Sequence, residues 1–151
     1  LKIEPGYSDG CKPNPTYQEV CNENTGHAEV VRIEYDPSVI SYELLLDIFF
    51  ASHDPTTVNR QGNDLGTQYR SVILYNSEEQ LQTAKKVIRN LEDSKIFSGP
   101  IVTDLKPFKS FYKAEDYHQE YYLENPYQPY CQAVISPKVA KLRKNFTNYL
   151  K

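Results

Sequence analysis

The 151-residue sequence predicts a single domain in which helices pack on a β-sheet, an α/β or α+β arrangement. Three observations lead there. Segments of period two alternate along the chain with segments of period 3.6. No repeat, low-complexity tract or linker divides them. The chain is also long enough to bury a core without disulfides or metals. A net charge of -3 excludes the strongly basic footprint of a nucleic-acid-binding domain. No apolar run approaches the ~20 residues needed to span a bilayer.

The first segment, "PGYSDGCKPNPTY" at 5–17, is rich in Gly, Pro, Asn and Asp and reads as an extended loop. Residues 28–35 alternate as a strand. Ser41 then starts a helix through about Ala51, with Leu45, Ile48 and Phe49 on one stripe. "HDPTTVNRQGNDLGTQ", 53–68, is a long polar loop of the kind that often carries function. A strand follows at 69–75. Ser77 and Gln80 then make a capping box for a helix whose stripe is Leu81, Ala84, Ile88 and Leu91.

A third strand, about 101–106, leads into a short helix from about 114 to 124. "YQPYC" reads as a turn. Ser136 as N-cap and Pro137 at the first helical position open a last helix, with Val139, Leu142 and Phe146 facing inward. The basic run "SPKVAKLRKNF" on that helix is read as a solvated face rather than a binding patch.

Three cysteines, Cys11, Cys21 and Cys131, are too few and too unevenly placed for a disulfide scaffold. They form no Cys-x-x-Cys pair, and His27, His53 and His118 share no metal-ligand spacing, so no metal or cofactor is expected. Reduced thiols in a cytoplasmic setting are the expectation. The chain begins with Leu1 and contains no methionine, which points to a missing N-terminal part and leaves organelle targeting open.

Glu29 is the residue that departs from its pattern. In a strand, i and i+2 share a face, so Glu29 lies with Val31, Ile33 and Tyr35. An apolar setting penalises the charged carboxylate and would make a proton donor near neutral pH. The alternative is a strand-end glutamate that reaches solvent or pairs with a lysine. Tyr17 and Tyr69 adjoin tightly specified loops, where a phenol either packs in the core or donates to a polar substrate oxygen. Asp64 either caps neighbouring backbone amides or joins the same pocket.

The words "NPTYQEVC", "TGHAEVVRIEYDP", "HDPTTVNRQGNDLGTQYRS" and "FYKAEDYHQEYYLENP" occur in the order in which the peptide methionine sulfoxide reductase A (MsrA) family has them. The chain resembles that family from Tyr7 to Cys131. The resemblance implies an α+β fold, a mixed β-sheet flanked by helices and related to ferredoxin-like architectures. It also implies reduction of methionine sulfoxide, of the S configuration at sulfur, to methionine. A cysteine thiolate attacks the sulfoxide sulfur while an acid protonates the oxygen, and the nucleophile is left as a sulfenic acid. A second cysteine condenses with it, and thioredoxin reduces the resulting disulfide. The expected protein is a monomer with no nucleic-acid or membrane partner.

Under this resemblance Glu29 falls on the family's acid, and Tyr17 and Tyr69 on the two phenols that hold the sulfoxide oxygen. Asp64 falls on a polar residue of the same pocket, and Cys131 on the resolving cysteine. Cys21 matches a position not assigned catalytic work, and Cys11 matches no motif of the family. The family's nucleophile lies in a Gly-Cys-Phe-Trp-Gly word upstream of "GYSDG", which this chain does not contain. Two readings follow: a reductase domain whose N-terminal strand and helix are missing from the record, or a non-catalytic relative that binds methionine sulfoxide or another protein through the pocket. The non-Met start favours the first.

Overall fold

A computed structural model describes residues 1–149, which fall into two compact units, one at 1–115 and one from 116 onward. In the first, strand β1 (Lys2–Ser8) pairs antiparallel with β2 (Ala28–Glu34) on one side and β7 (Phe111–Lys113) on the other. Residues 5–8, expected in a loop, are therefore the end of a central strand. Their glycine is there for packing: a Cβ on Gly6 would collide with the Phe111 ring and the Tyr112 carbonyl. The turn-like composition thus reflects close strand approach.

Between β1 and β2 lies the short helix α1 (Tyr17–Cys21), opened by a complete capping box. The Glu19 amide donates to Thr16 Oγ1 at 3.3 Å, and the Thr16 amide to Glu19 Oε2 at 2.9 Å. Helix α2 (Tyr42–Ser52) takes Ser41 as its N-cap, as the sequence suggests. Its buried stripe is Leu46 and Phe50, with Tyr42 and Phe49 beside them, rather than Leu45, Ile48 and Phe49. A helix with a continuous apolar run offers several faces, and packing selects among them.

Helix α3 (Glu78–Asp93) runs on the expected stripe, with Val87 added. Its Ser77 cap accepts from the Gln80 amide, but the Gln80 side chain accepts from Asn76 instead of closing the box on Ser77. Leu46, Phe50, Ile73, Ala84 and Val87 form the larger core. A smaller one joins Tyr7, Val20 and Ala114, with Tyr17 packed against it.

The long loop at 53–68 contains a two-residue hairpin, β3 (Arg60–Gln61) and β4 (Asp64–Leu65), and ends in a 3₁₀ turn, Thr67–Tyr69. Its own side chains order it. Asp54 Oδ1 accepts from the Thr56 amide, and Gln61 bonds both the amide and the carbonyl of Asp54. The expected strand at 69–75 shortens to β5 (Val72–Tyr75), because the 3₁₀ turn takes its first residues. β5 pairs parallel with β6 (Asp104–Pro107), where a strand was expected at 101–106. The described strands of this α+β unit are thus divided among three sheets, two antiparallel and one parallel.

In the second unit the expected helix at 114–124 breaks into a 3₁₀ turn, Asp116–His118, and α4 (Tyr121–Glu124), because Glu120 adopts a left-handed φ of 52° between them. The expected "YQPYC" turn already enters a helix. A π-helical segment, Cys131–Ile135, runs without a break into α5 (Ser136–Asn145). Ser136 is therefore helical rather than a cap, and its hydroxyl bonds the Tyr122 hydroxyl at 3.1 Å. Val139, Leu142 and Phe146 are the half-buried residues of the helix end, while its basic residues are mostly exposed. No helix among the described residues is long and apolar enough to cross a membrane.

Candidate active site

Four of the five expected site residues come together in the first unit. Glu29, near the start of β2, lies within electrostatic reach of Asp64 in β4, of Tyr69 in the 3₁₀ turn and of Tyr17 at the start of α1. Three separate loops deliver these side chains, and each is fixed by bonds that can be named.

The loop before β2 is held by His27, which is buried. The Gly10 amide donates to His27 Nδ1 at 2.9 Å, so the ring carries its proton on Nε2 and donates it to the Lys12 carbonyl at 2.6 Å. The Cys11 amide donates to the Thr25 carbonyl at 3.0 Å, which ties the same two loops a second time. Gly10 is needed at this contact, because a Cβ there would strike the Thr25 carbonyl. Both ring nitrogens of this histidine are thus taken up in holding the loop. His53, at the end of α2, is likewise occupied on both nitrogens by the Phe49 carbonyl and Ser71 Oγ.

Tyr17 is placed by Glu115. One carboxylate oxygen accepts from the Tyr17 amide at 2.7 Å, and the other from the Tyr7 hydroxyl at 2.9 Å. Replacing Glu115 with Ala leaves an orphan amide at the helix start. The expected cost is about 1–3 kcal/mol of stability, read as a lowered Tm in thermal unfolding.

The electrostatics separate the roles. Glu29 as a residue is exposed, and its strand neighbour Val31 is 56% exposed, so the apolar face inferred from periodicity is open in this chain. Its carboxyl group is nevertheless surrounded densely enough to lose much of its hydration. Desolvation first, and the charge of Asp64 second, raise its pKa to about 6. Glu29 therefore keeps a proton more readily than an ordinary glutamate.

Both phenols stay protonated across the neutral range. Tyr69 is pushed up to about 12 by burial, then by the charges of Glu29 and Asp64. Tyr17 is pushed up further, chiefly by its bond to the Cys21 thiol and then by burial. An acid that takes up a proton near pH 6 and two O–H donors thus face one small region. That arrangement suits a substrate oxygen that gains negative charge and then a proton.

The sequence reading passed over two neighbours. Cys21 lies one helical turn after Tyr17 and reaches its hydroxyl. Gln68 is buried between Gly66 and Tyr69 and bonds the Tyr69 hydroxyl. The i, i+4 spacing of Tyr17 and Cys21 is legible on α1, but only once that segment is known to be helical. Cys131 lies in the second unit and is buried. Cys11 is exposed, and no disulfide links any of the three cysteines.

The model of one family, described as "Peptide methionine sulfoxide reductase", matches residues 1–150. Peptide methionine sulfoxide reductase MsrA of Saccharolobus solfataricus is 56% identical over 151 residues, which is 100% of this chain and 84% of the relative. The protein of that name from Deinococcus radiodurans is 55% identical over 99% of this chain and 73% of its own length. Among solved structures, the reduced form of Mxr1 from Saccharomyces cerevisiae superposes with a TM-score of 0.78 at 38% identity, covering 85% of this chain and 74% of that one. Methionine sulfoxide reductase A of Corynebacterium diphtheriae superposes with a TM-score of 0.73 at 37% identity, covering 85% of this chain and 66% of that one. The α+β fold, the order of the site-bearing words and these likenesses agree: the chain belongs to the peptide methionine sulfoxide reductase family.

Proposed function

We propose that this protein reduces methionine sulfoxide, of the S configuration at sulfur, with Glu29 as the proton donor to the sulfoxide oxygen. The observation that carries the assignment is the raised pKa of Glu29, set by desolvation and Asp64 beside two protonated phenols. Tyr17 and Tyr69 donate hydrogen bonds to the oxygen and orient it toward the acid. Asp64 helps Glu29 keep its proton, since repulsion between two carboxylates favours protonation of one.

The nucleophile of the proposal is the cysteine of a Gly-Cys-Phe-Trp-Gly word preceding Leu1 in the complete protein. Its thiolate attacks the sulfoxide sulfur. The oxygen takes up one proton and passes to the cysteine sulfur as the transient S–S bond breaks, so methionine leaves and the cysteine is left as a sulfenic acid. Cys131 then attacks that sulfenic acid, water leaves, and a disulfide forms. Thioredoxin supplies two electrons to open it by thiol exchange. A reducing, cytoplasmic setting, in which such thiols stay free between turnovers, belongs to the same proposal.

Cys131 is 0% exposed, so resolution requires the π-helical segment that carries it to rearrange. Such segments are rare and frequently occur at functional sites. Replacing Cys131 with Ser in the complete protein is expected to leave one turnover intact, measured as one methionine released per enzyme. Thioredoxin-coupled turnover should stop. Continued thioredoxin-linked cycling would remove Cys131 from the mechanism. No methionine release by the unsubstituted protein would remove the reductase assignment itself.

A further inference from the structure

We infer that Arg70 is a positioning residue for the sulfoxide oxygen site: its guanidinium holds the loop of Tyr69, the loop of Glu29 and the loop after β1 in one register. The inference rests on the reductase reading above and concerns how its acid and phenol are kept aligned.

Arg70 directly follows Tyr69 and is largely buried, with its side chain 13% exposed. Its Nη1 donates to the Thr67 carbonyl at 2.7 Å, inside the 3₁₀ turn that presents Tyr69. Its Nη2 donates to the Gly26 carbonyl at 2.9 Å, three residues before Glu29. The same nitrogen donates to Asp9 Oδ2 at 2.9 Å, in the loop after β1. These acceptors come from three segments far apart in sequence, and two of the segments end in a residue of the site.

The charge arrangement supports a built clamp. Burial opposes the charge on Asp9, but Arg70 and Lys106 more than offset it and hold the carboxyl below its ordinary range. Lys106 Nζ donates to the same Asp9 oxygen at 2.9 Å and is more exposed, at 45%. Asp9 takes a left-handed φ of 69° and Gly26 one of 72°, so both loops adopt sharp turns at the guanidinium. Lysine would not serve. A planar fork reaches two carbonyls and a carboxylate together, whereas an ammonium is a point charge on a flexible stem.

The test uses the complete enzyme with methionine sulfoxide, comparing Arg70→Lys, Lys106→Ala and Tyr69→Phe. Lysine keeps a positive charge for Asp9 but loses the simultaneous hold on Thr67 and Gly26. The expected result is a Tm close to that of the unsubstituted enzyme and a kcat lowered about 10–100-fold, the scale of small misplacements in an active site. Lys106→Ala, which leaves the carbonyl bonds in place, should change kcat by less than about threefold, the effect of a part-exposed ion pair. In a Tyr69→Phe background, Arg70→Lys should cost much less than it does alone, because part of its effect passes through that phenol.

Unchanged kcat in Arg70→Lys overturns the inference. So does an equal loss in Lys106→Ala, which would assign the effect to the charge of Asp9. Full additivity with Tyr69→Phe overturns it as well. If Arg70→Lys unfolds, Arg70→Ala with about 50 mM guanidinium added replaces it, and rescue by guanidinium but not by sodium chloride is the expected result. An inactive unsubstituted enzyme instead overturns the reductase reading, and a Glu29→Gln variant of full activity overturns the acid role; both are recognised before any Arg70 variant is measured.

Discussion

Glu29→Gln is expected to lower the rate of sulfoxide reduction by about 10²–10⁴-fold in the complete enzyme, the usual contribution of a general acid. The amide keeps the size of the carboxyl and can donate a hydrogen bond, but it cannot deliver a proton. Binding of the sulfoxide is therefore expected to weaken little, and the loss should fall on kcat. Misfolding would not mimic this result. The folded pKa of Glu29 lies above that of an unfolded glutamate, so in the window from about 4.5 to 6 the folded state binds more of its proton. Stability from this group is full below the unfolded pKa and is lost as pH rises through the folded one. Above pH 6 the ionised Glu29 is thus a burden on the fold, and the glutamine variant should melt no lower than the parent at pH 7. A loss of rate below about tenfold would remove Glu29 from the acid role.

The second large effect concerns the phenols. Tyr17→Phe and Tyr69→Phe together are expected to lower kcat/KM by about 10²–10³-fold, comparable with removing a donor from an oxyanion site. Each single change should cost less, because both hydroxyls address one oxygen and the remaining donor covers for the missing one. Their raised pKa values keep both groups as donors through the neutral range, so the loss should not depend on pH between 6 and 9. Losses in the single variants that multiply to give the double would contradict a shared target.

Much of the site was legible before any coordinates. The face shared by Glu29 and Val31 marked the acid as unusual, and the loop words marked Tyr17, Tyr69 and Asp64. Desolvation raises the proton affinity of Glu29 as the pattern implies, but not through an apolar strand face. Its strand face is open, and the desolvation that raises its proton affinity is local to the carboxyl group and is reinforced by the charge of Asp64, which is distant in sequence. Alternation along one strand reports only which way a side chain points. It cannot report what another loop brings toward it.

The same limit explains the other differences. Pro5 and Gly6 look like turn residues, yet their strand is central because Gly6 admits the Phe111 ring. The apolar run of α2 left its inward face undetermined until α3 and β5 packed against it. Arg70 carried no local signal at all, since its three acceptors lie in three loops. Glu115 is similar: its two hydrogen bonds reach back about a hundred residues to Tyr7 and Tyr17, at separations of 108 and 98.

The central claim is that Glu29 is the proton donor to a sulfoxide oxygen. The pH dependence of kcat/KM for methionine sulfoxide tests it most directly, because that profile reports the ionisations of the free enzyme. In the complete enzyme the profile should descend above an apparent pKa of about 6, the value set for Glu29 by desolvation and Asp64. In Glu29→Gln the descending limb should be absent and the residual rate flat across that range. The same limb in both proteins, at the same pH, would contradict the assignment.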